Sequence, residues 1–121
     1  MQLKRIYEKR TEEDNVRILV DRLWPRGLSK EEVELDVWLK EIGPTNELRR
    51  WFRHDQEKFP QFRELYLQEL KDDPQKKSAY DQLKKYYEEN DGQITLVFSA
   101  KEQEYNHVQV LKEKLENTKK H

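Results

Sequence analysis

Apolar residues along this chain follow two periods. Residues 3–7 alternate between apolar and polar and read as a short edge strand, followed by a polar run over 9–15. Val16-Arg17-Ile18-Leu19-Val20 is rich in β-branched residues and predicts a central strand that runs out at Asp21-Arg22-Leu23-Trp24-Pro25-Arg26-Gly27, where Pro and Gly stop regular structure. Ser29-Lys30-Glu31-Glu32 has the form of a capping box, in which a hydroxyl satisfies an orphan helix amide and Glu32 reaches back, so a short helix is expected there. Over 35–42 either period fits: Leu35, Val37 and Leu39 alternate, while Leu35, Trp38, Leu39 and Ile42 follow helical spacing. We read this stretch as helix.

Gly43-Pro44 breaks the chain, and Thr45 is placed to cap a helix that puts Leu48, Trp51 and Phe52 on one face. Phe59, Phe62, Leu65, Tyr66 and Leu70 then recur at spacings of three and four, an apolar stripe that predicts a packed helix ending at Asp73-Pro74. The next helix spans about 74–90 with Ala79, Tyr80, Leu83 and Tyr87 inward, and Asp91-Gly92 stops it. Ile94-Thr95-Leu96-Val97-Phe98 is a second strong strand. A loop follows, then a helix with Val108, Leu111 and Leu115 on one face, and a frayed polar tail over 117–121. Two apolar strands separated by helices point to a parallel pair, because so long a helical connection crosses over a sheet. The expected fold is a small single α/β domain over 1–116, layered, with a mostly parallel short sheet flanked by helices.

Composition narrows the chemistry. Charged residues make up 40% and hydrophobic ones 34%, a balance that would suit disorder if 3 Trp, 6 Tyr and 4 Phe did not supply large buried areas. With 24 basic and 25 acidic residues the net charge is -1, so no whole-chain field draws in nucleic acid, although local basic patches remain open. The absence of cysteine excludes disulfides, thiolate nucleophiles and cysteine-held metals. The start MQLKRIYEKR lacks the apolar core of a signal peptide and no apolar stretch is long enough to span a bilayer, so a cytoplasmic location and no membrane partner are expected.

Three glycines cannot build a phosphate loop or a dinucleotide fingerprint. The serines lack a nucleophile elbow, and His54, His107 and His121 show no zincin spacing, so standard hydrolase and metalloprotease readings fail; no metal site is assigned, and a metal held by carboxylates is left open. Three segments remain. The 21–27 loop at a strand exit carries Asp21, Arg22, Trp24 and Arg26: two guanidiniums to hold phosphate or carboxylate, a carboxylate to orient them or accept a proton, and an indole face for stacking. The alternative is a structural turn in which Asp21 pairs with an arginine and Trp24 plugs the core. The loop after Phe98 brings Lys101, Asn106 and His107 to a helix start, where free amides favour an anion; otherwise Asn106 is only a cap and His107 a surface residue. The run Arg49-Arg50-Trp51-Phe52-Arg53-His54-Asp55 interleaves cations and aromatics, which suits nucleic acid or else a solvated helix face.

VDRLWPRG at 20–27, DVWLKEIGPTNELRRWFRHD at 36–55, FRELYLQEL at 62–70 and LVFSAKEQEYNHVQVLKEKL at 96–115 together resemble the YeaO-like branch of domain-of-unknown-function group 488. The resemblance spans nearly the whole chain and implies a small bacterial or archaeal cytoplasmic α/β protein with no established activity. It marks Asp21, Arg22, Trp24, Pro25, Arg26 and Gly27 as a motif, with Trp38, Lys40, Trp51, His54, Asn106 and His107. The wider group often carries a cysteine at the end of the late strand and a Cys-His-Arg run at the next helix start. Here those places hold Phe98 and Asn106-His107-Val108, so only the histidine survives and thiol- or arginine-dependent roles do not transfer.

These readings converge on a small-anion site, for a phosphorylated metabolite or nucleotide, where the 21–27 and 101–107 loops meet. Arg22 and Arg26 would clamp the anion, Trp24, Lys101 and Asn106 would line it, and Asp21 or His107 would handle a proton if chemistry occurs. The alternative is a nucleic-acid- or protein-binding module built on Arg49, Arg50 and Arg53. Cofactor and oligomeric state are left open.

Overall fold

The computed structural model describes residues 1–119. Four strands, β1 (Gln2–Arg5), β2 (Val16–Leu19), β3 (Val37–Trp38) and β4 (Ile94–Phe98), form one sheet in the order β1-β4-β2-β3, with every pairing parallel. The helices are α1 (Lys30–Val33), α2 (Asn46–Phe52), α3 (Phe59–Asp72), α4 (Pro74–Glu89) and α5 (His107–Lys119), with short 3-10 turns at Glu12–Asp14, Lys40–Ile42 and Gln56–Lys58. The chain is thus mixed α/β, as its two apolar strands imply. Helix α5 continues past residue 116 into the segment expected to fray, and residues 120–121 of that segment lie outside the described residues.

The expected edge strand is β1, and β2 and β4 sit side by side at the centre of the sheet. Side chains alternate across it as the pleat requires. Ile18, Val20, Ile94, Leu96 and Phe98 join the large core beneath α2 to α5, whereas Leu19 and Val97 point the other way, into a small cluster with Ile6, Val33, Trp24 and Trp38. Burying a side chain such as Phe62 or Leu111 in the large core contributes about 1.5–3 kcal/mol.

One element differs from the sequence reading. Residues 37–38 are a strand and Lys40–Ile42 a 3-10 turn, so 35–42 is not a continuous helix. The free edge of β2 decides it: Asp36 N–H donates to the Arg17 carbonyl at 3.0 Å and Leu39 N–H to that of Leu19 at 2.9 Å. Extended backbone satisfies both edges, and the alternation of Val37 and Trp38 onto opposite faces wins over helical spacing. A smaller correction concerns α3, where Phe62, Tyr66 and Leu70 are buried but Leu65 is 39% exposed.

The capping signals act as read. Ser29 Oγ accepts from Glu32 N–H at 3.2 Å and Glu32 accepts from Ser29 N–H at 3.0 Å. Thr45 Oγ1 accepts from Leu48 N–H, and Asp73 from Gln75 and Lys76. At the amino ends of the strands, Asp14 and Arg17 are 0% and 1% exposed and pair at 2.7 Å, with Lys4 Nζ at 2.8 Å from the second Asp14 oxygen. Burial works to raise the Asp14 pKa, but hydrogen bonds from Lys4, Arg17 and Thr11 outweigh it and hold the carboxyl well below its usual range.

Candidate functional site

Adjacent parallel strands that end together leave a crevice at their carboxyl ends, where open α/β sheets bind ligands. Here that crevice is a cavity of about 540 Å³ beyond β2 and β4. Its base is built from Asp21, directly after Val20, together with Ser99 and Ala100 after β4 and His107 at the start of α5.

Asp21 is the knot of this base. One carboxylate oxygen accepts from both the backbone N–H and the hydroxyl of Ser99, each at 2.8 Å. The other lies 3.5 Å from His107 Nε2, and the Asp21 carbonyl accepts from the Trp38 indole at 2.8 Å. His107 Nε2 is closer, 3.0 Å, to the Val20 carbonyl. A carbonyl can only accept, so Nε2 carries the proton, and the neutral ring keeps its lone pair on Nδ1. Burial lowers the His107 pKa, and the Asp21 charge and the Val20 bond only partly offset this, so the ring is neutral near pH 7. Tyr66 stands edge-on to the ring at 6.0 Å and continues a stack through Phe62 to Phe52 on α2.

The exposed rim is cationic. Arg49, Arg50 and Arg53 from α2 and its end, with His54, line the cavity together with Arg22, while Leu23, Pro44, Phe52, Phe62 and Ala100 supply apolar surface. Arg53 and His54 close α2 with two consecutive left-handed residues, φ 50° and 55°. Non-glycine residues adopt this conformation at a cost of about 1–2 kcal/mol each. His54 Nδ1 lies 3.1 Å from the Tyr105 carbonyl, which fixes the proton on Nδ1 and joins the end of α2 to the loop before α5. Arg22 is set by close packing. A Cβ on Gly43 would fall 2.7 Å from Arg22 Cγ and 3.2 Å from its backbone nitrogen, so only glycine lets the two segments approach this closely. The 43–45 turn is held in place by Glu69, which accepts from Thr45 N–H at 3.0 Å and Thr45 Oγ1 at 2.7 Å, and by Tyr66, whose hydroxyl donates to the Ile42 carbonyl.

Of the residues singled out in the sequence, Asp21, Arg22 and His107 meet at this cavity. Trp24 lies on the opposite face of the sheet, edge-on to Trp38 at 5.3 Å, with its indole N–H given to the Leu28 carbonyl. Arg26 and Lys101 are exposed and do not line the cavity. Asn106 is the buried cap of α5: its Oδ1 accepts from Val108 and Gln109, and its Nδ2 donates to the Glu102 carbonyl. Asp21 pairs with Ser99 and His107 rather than with an arginine. Arg49, Arg50 and Arg53, weighed in the sequence as a solvated face or a nucleic-acid contact, belong to the wall of the same cavity as Arg22. No sequence spacing links them; the Gly43-Pro44 turn does.

Among the described residues no group of three or more His, Asp or Glu side chains is gathered as a metal would require, and no helix is long and apolar enough to cross a membrane.

Comparison with known proteins agrees with the resemblance carried by the motifs. The chain is 44% identical over 112 residues, 92% of both chains, to the uncharacterized protein YeaO of Escherichia coli. It is 39% identical over 72 residues, about 60% of each chain, to the uncharacterized protein Rv3073c of Mycobacterium tuberculosis. No solved structure matches it. Residues 1–121 match the family described as the inactive DUF488-N3 subclade, and the chain belongs to that YeaO-like branch of the group.

Proposed function

We propose that this protein binds a small anionic ligand, a phosphorylated metabolite or nucleotide, in the cavity at the carboxyl ends of β2 and β4, and does so without turning it over. The observation that carries this reading is the convergence of Arg22 with Arg49, Arg50 and Arg53 on one cavity whose base is held by hydrogen bonds. Guanidiniums present planar paired donors suited to phosphate and carboxylate, and the cavity falls within the roughly 300–1,000 Å³ of small-molecule sites. Binding rather than catalysis is favoured by the family's description as inactive and by the lack of any cysteine in a group whose members often carry one there. Asp21 and His107, the candidates for proton transfer, are not free to exchange one in this reading: the His107 proton is committed to Val20 and one oxygen of the Asp21 carboxylate to Ser99.

A thermal-shift screen against phosphate, nucleotides, sugar phosphates and carboxylates tests it. A ligand at 100 times its dissociation constant stabilises the fold by about 2.7 kcal/mol and raises the melting temperature by roughly 10 °C. The rise should vanish in a folded Arg22→Ala variant and survive in Arg26→Ala, whose side chain lies outside the cavity. Equal responses in both variants, or none in the native protein, contradict the proposal.

A further inference from the structure

The charges of the cavity are segregated. Its exposed rim holds Arg49, Arg50 and Arg53, with the half-buried Arg22 beside them in the lining, whereas its base holds the Asp21 carboxylate and the His107 ring, whose side chains are only 14% and 13% exposed. A simple anion fits the rim, but it would be repelled by the carboxylate at the base. That carboxylate also has capacity to spare. Ser99 takes one oxygen twice, while among the described residues the other faces only His107 Nε2 at 3.5 Å, too long for a good hydrogen bond and already served by the Val20 carbonyl. The base therefore presents an acceptor open to a ligand's donor, and Leu23, Pro44 and Ala100 add apolar surface to the lining of the same cavity.

From this segregation we infer that the cavity takes a bipolar ligand: a phosphate or carboxylate held by the arginines at the rim, an apolar or planar body against the apolar lining, and an N–H-bearing head donated to Asp21 at the base. The inference rests on the anion-binding reading above and adds the head group that the ligand must carry. The second Asp21 oxygen opens onto the cavity, where solvent reaches it, so a ligand that brings its own donor keeps that hydrogen bond on displacing solvent and gains over an otherwise identical ligand that does not.

The test is isothermal titration of the full chain with inorganic phosphate and with a matched pair of probes, benzylphosphonate and 4-aminobenzylphosphonate, which differ by the amino donor. The amino probe is expected to bind at least about fivefold more tightly, the value of one hydrogen bond. An Arg49→Ala variant should weaken both probes and leave their ratio unchanged. In Asp21→Asn one amide oxygen still serves Ser99 and the amide nitrogen replaces the acceptor, so the preference should be lost. Should that variant not fold, the ratio in the native protein and in Arg49→Ala decides. Equal affinities for the two probes in the native protein overturn the inference while leaving anion binding intact. No binding of phosphate or either probe overturns both.

Discussion

The Asp21 carboxylate receives the backbone N–H and the hydroxyl of Ser99 through one oxygen, each at 2.8 Å, and so joins the exit of β2 to the exit of β4. These two residues are 78 positions apart, and their bond fixes the base of the cavity before any ligand arrives. Ser99→Ala keeps the N–H and loses the hydroxyl. Because the acceptor is charged, it should lower unfolding stability by about 1.5–3 kcal/mol in urea titration, with an unchanged far-UV spectrum. A change within error would show that this tie is not part of the folded state.

Gly43 should tolerate no side chain. The methyl of Gly43→Ala would press on Arg22 Cγ and on its backbone nitrogen at once, so a rotamer change alone cannot relieve it. Destabilisation of about 1–3 kcal/mol is expected, with weakened anion binding because Arg22 is displaced. Chemical denaturation and a phosphate titration of the same variant check the two effects together.

Arg53 should trade stability for binding. It sits at φ 50° as the cap of α2, a conformation glycine adopts without the cost of a Cβ. Arg53→Gly is expected to raise the melting temperature, by the equivalent of up to about 1 kcal/mol, while reducing anion affinity. A variant that is both less stable and equally competent in binding would contradict the strain and the rim assignment alike.

Acid should act in two stages. The His107 pKa is lowered in the folded state, mainly by burial, so below its ordinary 6.5 the unfolded chain binds the extra proton and stability falls as pH drops through that window. Asp14 is likewise depressed, so its contribution is complete above its ordinary 3.8 and is lost as pH falls further. Unfolding free energy measured against pH should show both slopes. A His107→Gln variant should lose the first, and Asp14→Ala should destabilise by about 3–5 kcal/mol at neutral pH because it leaves Arg17 buried without its partner.

The parts of this architecture legible in the sequence are those decided locally. Val16 to Val20 and Ile94 to Phe98 are mostly apolar and β-branched, and Ser29, Thr45 and Asp73 each precede a helix that needs an N-cap. The stretch over 35–42 was not decided locally, since its residues satisfy two periods and the open edge of β2 selects one. The site divides in the same way. Asp21, Arg22 and His107 were within reach of sequence because the residues that follow the ends of parallel strands line the crevice there. Trp24 was not, because a loop between Val20 and Ser29 carries no periodicity to say which face of the sheet an indole covers. Arg49, Arg50 and Arg53 look like any solvated helix face until Gly43 lets Arg22 pack against the turn that aims them at the same space.

The central claim is that these arginines and the strand exits form one anion site. A two-dimensional ¹⁵N–¹H titration of the protein with phenyl phosphate tests it residue by residue. The account predicts saturable shifts confined to the amides of Arg22, Arg53, His54, Ser99, Ala100 and His107, abolished in Arg22→Ala and retained in Arg26→Ala. Shifts scattered over the lysine-rich helix surfaces without saturation, or identical in the two variants, would contradict it.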